Sequence, residues 1–220
     1  MGEVMTLMNT AIILAGGKST RMGFDKQLIK IGDISITDYI IGMLKSTFEN
    51  IIVVTNKPDL YKSKDIITVE DIYKGYGPLG GIHAGLLESK SLYNYFIACD
   101  MPYINIHYIE YMMKRIEESN YSKCAVITRF GEWIEPFNAF YSKNLISYIE
   151  ENIKENKKKI SQLLDRTNVL YINEDIARSY SPDWSMFTNL NTEKDLENLK
   201  HKENGGLIDE FYKRNNIDKI

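Results

Sequence analysis

Ala11-Ile12-Ile13-Leu14-Ala15-Gly16-Gly17-Lys18-Ser19-Thr20-Arg21-Met22-Gly23-Phe24-Asp25-Lys26 begins as a solid apolar run and ends as a cationic, glycine-rich loop. A short run without polar alternation reads as a strand buried on both faces, the habit of parallel sheets covered by helices. Ile51 to Thr55, Tyr95 to Cys99 and Cys124 to Thr128 repeat the pattern, and Ile66-Ile67-Thr68-Val69 is a shorter case. Between them lie helical stripes: Ile40, Ile41, Leu44 and Phe48, then Ile106, Ile109, Met113 and Ile116, then Leu145, Ile146, Ile149 and Ile153. Strands alternating with helices predict an α/β three-layer sandwich, with a mainly parallel sheet and helices on both faces. Pro136 to Tyr141 reads as one more strand after a loop at 129–135. Thr192-Glu193-Lys194-Asp195 fits a capping box that opens a helix at Leu196.

The length of 220 residues suits one domain with an appendage. We assign a domain to residues 10–200 and a tail or short helix to 201–220. Hydrophobic residues make up 44% and charged residues 26%, which excludes a disordered acidic chain and a multi-span membrane protein. A net charge of −3 lacks the basic excess of a duplex nucleic-acid binder, so no nucleic-acid partner is expected. No stretch approaches the roughly 18 apolar residues of a membrane span, and the first residues have no secretory pattern. A cytoplasmic protein with no membrane partner is expected. Cys99 and Cys124 make no disulfide framework and read as two buried reduced thiols. His83, His107 and His201 do not cluster and receive no role.

Three glycines, a hydroxyl pair and three cations follow the first strand. Ligands of open α/β sheets sit at the carboxyl ends of strands. Glycine backbone lets N–H groups approach a phosphate chain, and Arg21 and Lys26 would neutralise its charge. The spacing is neither a Walker loop nor Gly-x-Gly-x-x-Gly. A second glycine-rich stretch, Gly77-Pro78-Leu79-Gly80-Gly81, stands just before a helix, where a ligand ring or phosphate could lie on the backbone. Asp100 follows the Tyr95–Cys99 strand and faces the same rim. Magnesium needs only one or two carboxylates beside phosphate oxygens and water. Asn105 is the better candidate for capping the next helix.

Leu14-Ala15-Gly16-Gly17-x-Ser19-x-Arg21-Met22-Gly23-x-Asp25-Lys26 resembles the signature loop of nucleotidyltransferases with a Rossmann-like, nucleotide-diphospho-sugar transferase fold. Within them it is most similar to the molybdenum cofactor guanylyltransferases, which join GMP from GTP to the terminal phosphate of molybdopterin. Gly77 to Leu86, Asp100-Met101-Pro102 and Asn189-Leu190-Asn191-Thr192 resemble that family's later motifs, in order. The resemblance implies nucleotide contacts from Leu14, Ala15, Gly16, Gly17, Ser19, Lys26, Asn56, Asp71, Gly80, Gly81 and Asp100. It implies Mg2+ on Asp100, catalytic roles for Lys26, Arg21 and Asp100, and pterin contacts from Asn189 and Asn191. Two asparagines two residues apart share one side of an extended segment. GTP and molybdopterin are then the substrates, with transient contact to cofactor-biosynthesis proteins or apo-molybdoenzymes. Two departures stand out. Glu135 precedes Pro136 where the family often has His, and reads as a solvated loop carboxylate. The tail from Glu203 to Ile220 has no counterpart within this resemblance.

The attacking phosphate is already an anion near neutral pH, so the reaction needs charge neutralisation and in-line positioning rather than a general base. A cytidylyltransferase for the same pterin is the nearest rival, but its loop usually reads Leu-Ala-Ala-Gly, against Ala15-Gly16-Gly17 here. A nucleotidyltransferase with a sugar- or polyol-phosphate acceptor is a second rival. A non-catalytic nucleotide- or cofactor-binding adaptor is a third, from a different class.

Overall fold

The computed structural model describes residues 6–16, 27, 29–31, 34–62, 65–191 and 195. The elements in chain order are β1 (Thr10–Leu14), β2 (Lys30–Ile31), β3 (Ile34–Ser35), α1 (Ile36–Lys45), β4 (Asn50–Val54) and β5 (Ile67–Val69). There follow α2 (Pro78–Glu88), β6 (Tyr93–Ala98), α3 (Ile106–Glu118), β7 (Ala125–Phe130) and β8 (Trp133–Ser142). The last are α4 (Ile146–Lys154), α5 (Ile160–Leu164), β9 (Val169–Asn173) and α6 (Glu174–Tyr180). The tail assigned to 201–220 and the expected helix at Leu196 lie outside the described residues.

Among the described residues, seven strands form one sheet in the order β5-β4-β1-β6-β8-β7-β9. β1 pairs in parallel with β4 on one side and β6 on the other. Only β8 runs antiparallel to its neighbours β6 and β7. All five residues of β1 are buried, as its unbroken apolar run predicts. Alternate side chains enter different cores. Ala11 and Ile13 pack with Ile40 and Leu44 of α1, Tyr108 and Met112 of α3, and Ala177 of α6. Ile12 and Leu14 pack with Leu79 and Ile82 of α2, Ile149 of α4, and Leu163 of α5. Two apolar layers on opposite faces of one sheet make the expected α/β/α sandwich. Burying a side chain such as Ile12 or Leu44 stabilises the fold by about 1.5–3 kcal/mol.

Local chemistry fixes the helix starts. The Ser35 hydroxyl accepts from the Asp38 amide at 3.0 Å and caps α1. Asn105 caps α3, accepting from the Tyr108 amide at 3.0 Å, as its position suggested.

The structure corrects four local expectations. Residues 129–135 are not a loop: β7 continues to Phe130 and β8 starts at Trp133, joined by a tight turn at Gly131 with φ of 54°. Glycine permits that left-handed turn, and Pro136 is tolerated because it falls where the β7–β8 register shifts and no ladder N–H is needed. Gly80 and Gly81 do not precede α2 but lie in its first turn, because Pro78 starts the helix. Cys99 is buried as expected, but Cys124 is only half-buried, since it stands just outside β7. β9, α5, α6 and the β2–β3 pair are elements that the apolar pattern did not predict.

Candidate active site

The chain leaves β1 toward β4 on one side of it and leaves β6 toward β8 on the other. The carboxyl ends of β1 and β6 therefore flank the topological switch point, where open α/β sheets bind ligands. Leu14 ends β1, and its carbonyl accepts from the Cys99 amide at 3.1 Å. Asp100 follows directly and is 8% exposed. The Ala15 amide donates to the Val54 carbonyl at 2.9 Å, which holds the start of the first loop on the end of β4. Gly16 is exposed beyond it. Gly17, Ser19, Arg21 and Lys26 lie outside the described residues.

α2 brings the second glycine-rich stretch to the same rim. A Cβ on Gly81 would stand 3.2 Å from Cδ2 of Leu14, so Gly81 lets α2 pack closely on the end of β1. A Cβ on Gly80 would stand 2.5 Å from Oδ1 of Asp71. Asp71 is thereby seated against the first turn of α2. Its Oδ1 accepts from the Tyr73 amide at 2.8 Å, an Asx-type turn. Burial raises the Asp71 carboxyl above its ordinary value, opposed first by the Tyr73 amide and then by the charges of His83 and Lys74. His83 is buried within α2, with Nε2 3.3 Å from Glu150 Oε1.

The end of the described chain reaches the switch point from the opposite side. The Leu190 amide donates to the main-chain oxygen of Asp100 at 2.9 Å. Leu190 is 1% exposed, whereas Asn189 and Asn191 are both exposed. The two asparagines thus share one side of the segment, as their spacing predicts, while Leu190 anchors it in the core. The Asp195 carboxylate accepts from the Asn191 amide at 2.9 Å and turns the chain there.

Asp71, Gly80, Gly81, Leu14, Asp100, Asn189 and Asn191 are linked through this series of contacts along one rim. Asn56 is exposed one residue past Thr55, at the end of β4, and stands outside the series. Glu135 is not a solvated loop residue: it is half-buried in β8, burial raises its carboxyl, and the Trp184 side chain hydrogen-bonds it.

Gln27, which directly follows Lys26, was not among the expected site residues. It is 6% exposed, and its Oε1 accepts from the Thr55 hydroxyl at 2.7 Å and the Tyr61 hydroxyl at 3.2 Å. A long polar side chain leading into Ile29 was the only available signal. A cleft of about 530 Å3 opens at the β7–β9 end of the sheet, lined by Arg129, Gly131, Asn173, Glu174, Asp175 and Arg178, and contains none of the expected site residues.

No group of three or more His, Cys, Asp or Glu side chains suited to a metal occurs among the described residues. Asp100, a hard carboxylate at the switch point, fits magnesium completed by phosphate oxygens and water.

Residues 11–169 match the MobA-like NTP transferase domain. A probable molybdenum cofactor guanylyltransferase of Peptoclostridium acidaminophilum is 50% identical over 197 residues, covering 88% of this chain and 89% of the relative. A molybdenum cofactor guanylyltransferase of Syntrophotalea carbinolica is 46% identical over 193 residues, covering 88% of this chain and 91% of the relative. The crystal structure of molybdopterin-guanine dinucleotide biosynthesis protein A from Archaeoglobus fulgidus superimposes with a TM-score of 0.75 at 25% identity, covering 90% of this chain and 100% of that one. By the matched domain and by its likeness to these relatives over 88% of its length, the chain belongs to the molybdenum cofactor guanylyltransferase family of nucleotidyltransferases.

Proposed function

We propose that this protein transfers GMP from GTP to the terminal phosphate of molybdopterin, releasing pyrophosphate and forming the guanine dinucleotide cofactor. One observation supports the reading: contacts link Asp71 and Gly80, through Gly81 and the end of β1, to Asp100 and Leu190 in a chain 50% identical to a relative named for this activity.

An oxygen of the acceptor phosphate attacks the α-phosphorus of GTP. A new phosphorus–oxygen bond forms as the bond to the bridging oxygen of the leaving pyrophosphate breaks. The acceptor arrives ionised, so no side chain has to remove a proton. Lys26 and Arg21 neutralise charge on the α-phosphate and on the leaving group, and the backbone of Gly16, Gly17 and Ser19 cradles the phosphates. Asp71 accepts hydrogen bonds from the guanine or the ribose, with Gly80 and Asn56 shaping that pocket. Asn189 and Asn191 offer amide donors and acceptors to the pterin. Asp100 is the residue that would hold Mg2+, which when bound supplies further charge neutralisation for the phosphates.

Incubation of the protein with GTP, Mg2+ and molybdopterin, followed by mass analysis of the product, tests the reading. The expected product is molybdopterin guanine dinucleotide. Unchanged molybdopterin with folded protein would overturn it and move the assignment to another acceptor or to binding without transfer.

A further inference from the structure

β8 contains an asparagine that its surroundings do not predict. Asn138 lies between Phe137 and Ala139, is 2% exposed and has a φ of 55°. Left-handed backbone in a buried strand is costly for most residues and least so for asparagine among those with a side chain. The conformation belongs to an irregularity in the sheet. Val126 pairs with Phe140, yet Thr128 pairs with Glu135, so residues 136–139 of β8 are out of step with β7. The pairing of β8 with β6 also stops, at Phe96 with Ala139.

Both ends of the Asn138 amide are engaged. Its Oδ1 accepts from the hydroxyl of fully buried Tyr95 at 2.8 Å, and its Nδ2 donates to the Met186 carbonyl at 3.3 Å. Met186 lies in the short 3-10 turn Ser185–Phe187, four residues before Leu190. Several described bonds fasten the stretch from Tyr180 to Asn191, among them the Glu135 bond to the Trp184 side chain and the Arg178 bond to the Pro182 carbonyl. Asn105 Nδ2 donates to the Tyr180 carbonyl at 2.8 Å, Asn138 holds Met186, and the Asp100 carbonyl takes the Leu190 amide at 2.9 Å. Asn138 reaches the main chain of this stretch from inside the sheet. An apolar residue at 138 would fill the volume but leave the Tyr95 hydroxyl and the Met186 carbonyl without these partners. Glycine would accept the backbone conformation but supply no amide. Aspartate would keep the acceptor and lose the donor.

We propose that Asn138 is a positioning residue for the acceptor half of the reaction. Through Met186 it sets where Asn189 and Asn191 emerge on either side of Leu190, next to Asp100, and so sets the affinity for the pterin substrate without touching it. The proposal rests on the reading of Asn189 and Asn191 as pterin contacts.

The test compares wild type with Asn138→Gly, Asn138→Asp and Tyr95→Phe in two measurements. The first is steady-state kinetics with GTP and molybdopterin varied separately. The second is hydrogen exchange at the Leu190 amide. In Asn138→Gly and Asn138→Asp, loss of the bond to Met186 should raise KM for molybdopterin about tenfold, with KM for GTP within about twofold. Leu190 exchange should accelerate beyond that of β1 amides in the same variant. Tyr95→Phe should shift both readouts the same way by less, and serves if the Asn138 variants do not fold. Equal changes in both KM values, or Leu190 exchange that tracks the rest of the core, would overturn the proposal and leave Asn138 a packing residue. If wild type makes no guanine dinucleotide, the functional reading fails separately. Leu190 exchange then decides whether Asn138 fixes the segment, and unchanged protection in the variants rejects it.

Discussion

Asp71 and Gly80 occupy each other's space: a methyl group on Gly80 would lie 2.5 Å from Oδ1 and 2.6 Å from Oδ2 of Asp71. Gly80 sits in the first turn of α2, where alanine would otherwise be favoured by about 0.5–1 kcal/mol. The absence of a side chain therefore serves the carboxylate, not the helix. Gly80→Ala should leave a folded protein whose KM for GTP rises about tenfold, as the carboxylate is pushed from its seat. An unchanged KM would show that Asp71 does not meet the nucleotide.

Asp71 also sets a pH dependence of stability. Its carboxyl is raised by burial, so the folded state holds that proton more tightly than the unfolded chain does. Its contribution is full below the ordinary carboxylate range and is lost as pH rises through the folded value. At pH 7 the ionised group therefore opposes folding. Asp71→Asn should raise Tm at pH 7, with the difference closing as pH falls toward the ordinary value of 3.8, while GTP binding weakens. A Tm difference that is the same at both ends of the range would contradict the burial argument.

Gly85 offers a control from the same helix. A Cβ there would stand 2.7 Å from Cγ2 of Ile12 and 3.3 Å from Cε1 of Phe96, against the sheet and away from the rim. Gly85→Ala should destabilise the protein by about 1–3 kcal/mol through overpacking, measured by denaturant unfolding. Its kcat/KM per folded molecule should be that of wild type.

Lys26 is assigned to charge neutralisation. Lys26→Ala should lower turnover about 10²- to 10³-fold with little change in Tm. Loss of rate and fold in parallel would remove it from the catalytic set. Asp100→Asn should raise the Mg2+ concentration for half-maximal rate, read from a magnesium titration at saturating GTP.

Solid apolar runs made β1, β4, β6 and β7 legible, because strands buried on both faces leave no polar residue to confuse the period. β9 escaped notice: it is an edge strand whose Val169, Leu170 and Tyr171 are only half-buried. The β7–β8 hairpin was hidden because Gly131 and Pro136 are ordinary loop signals, and only pairing shows that one makes the turn and the other sits at the register shift. The placement of residues carried by motifs was legible: Asp100 follows β6, and Asn189 and Asn191 are exposed on either side of buried Leu190. What stayed hidden depends on distant partners. Gln27 owes its place to Thr55 and Tyr61, and Gly81 to Leu14. A lone polar residue inside an apolar stretch, as Asn138 is between Phe137 and Ala139, was the signal left unused.

Pyrophosphate release with Mg2+, from GTP and from CTP, each with and without molybdopterin, tests the central claim most directly. Release from GTP that requires molybdopterin, with CTP near background, is the predicted result. Release from CTP at an equal or greater rate, or from GTP without any acceptor dependence, would contradict the assignment of this site to guanylyl transfer onto the pterin.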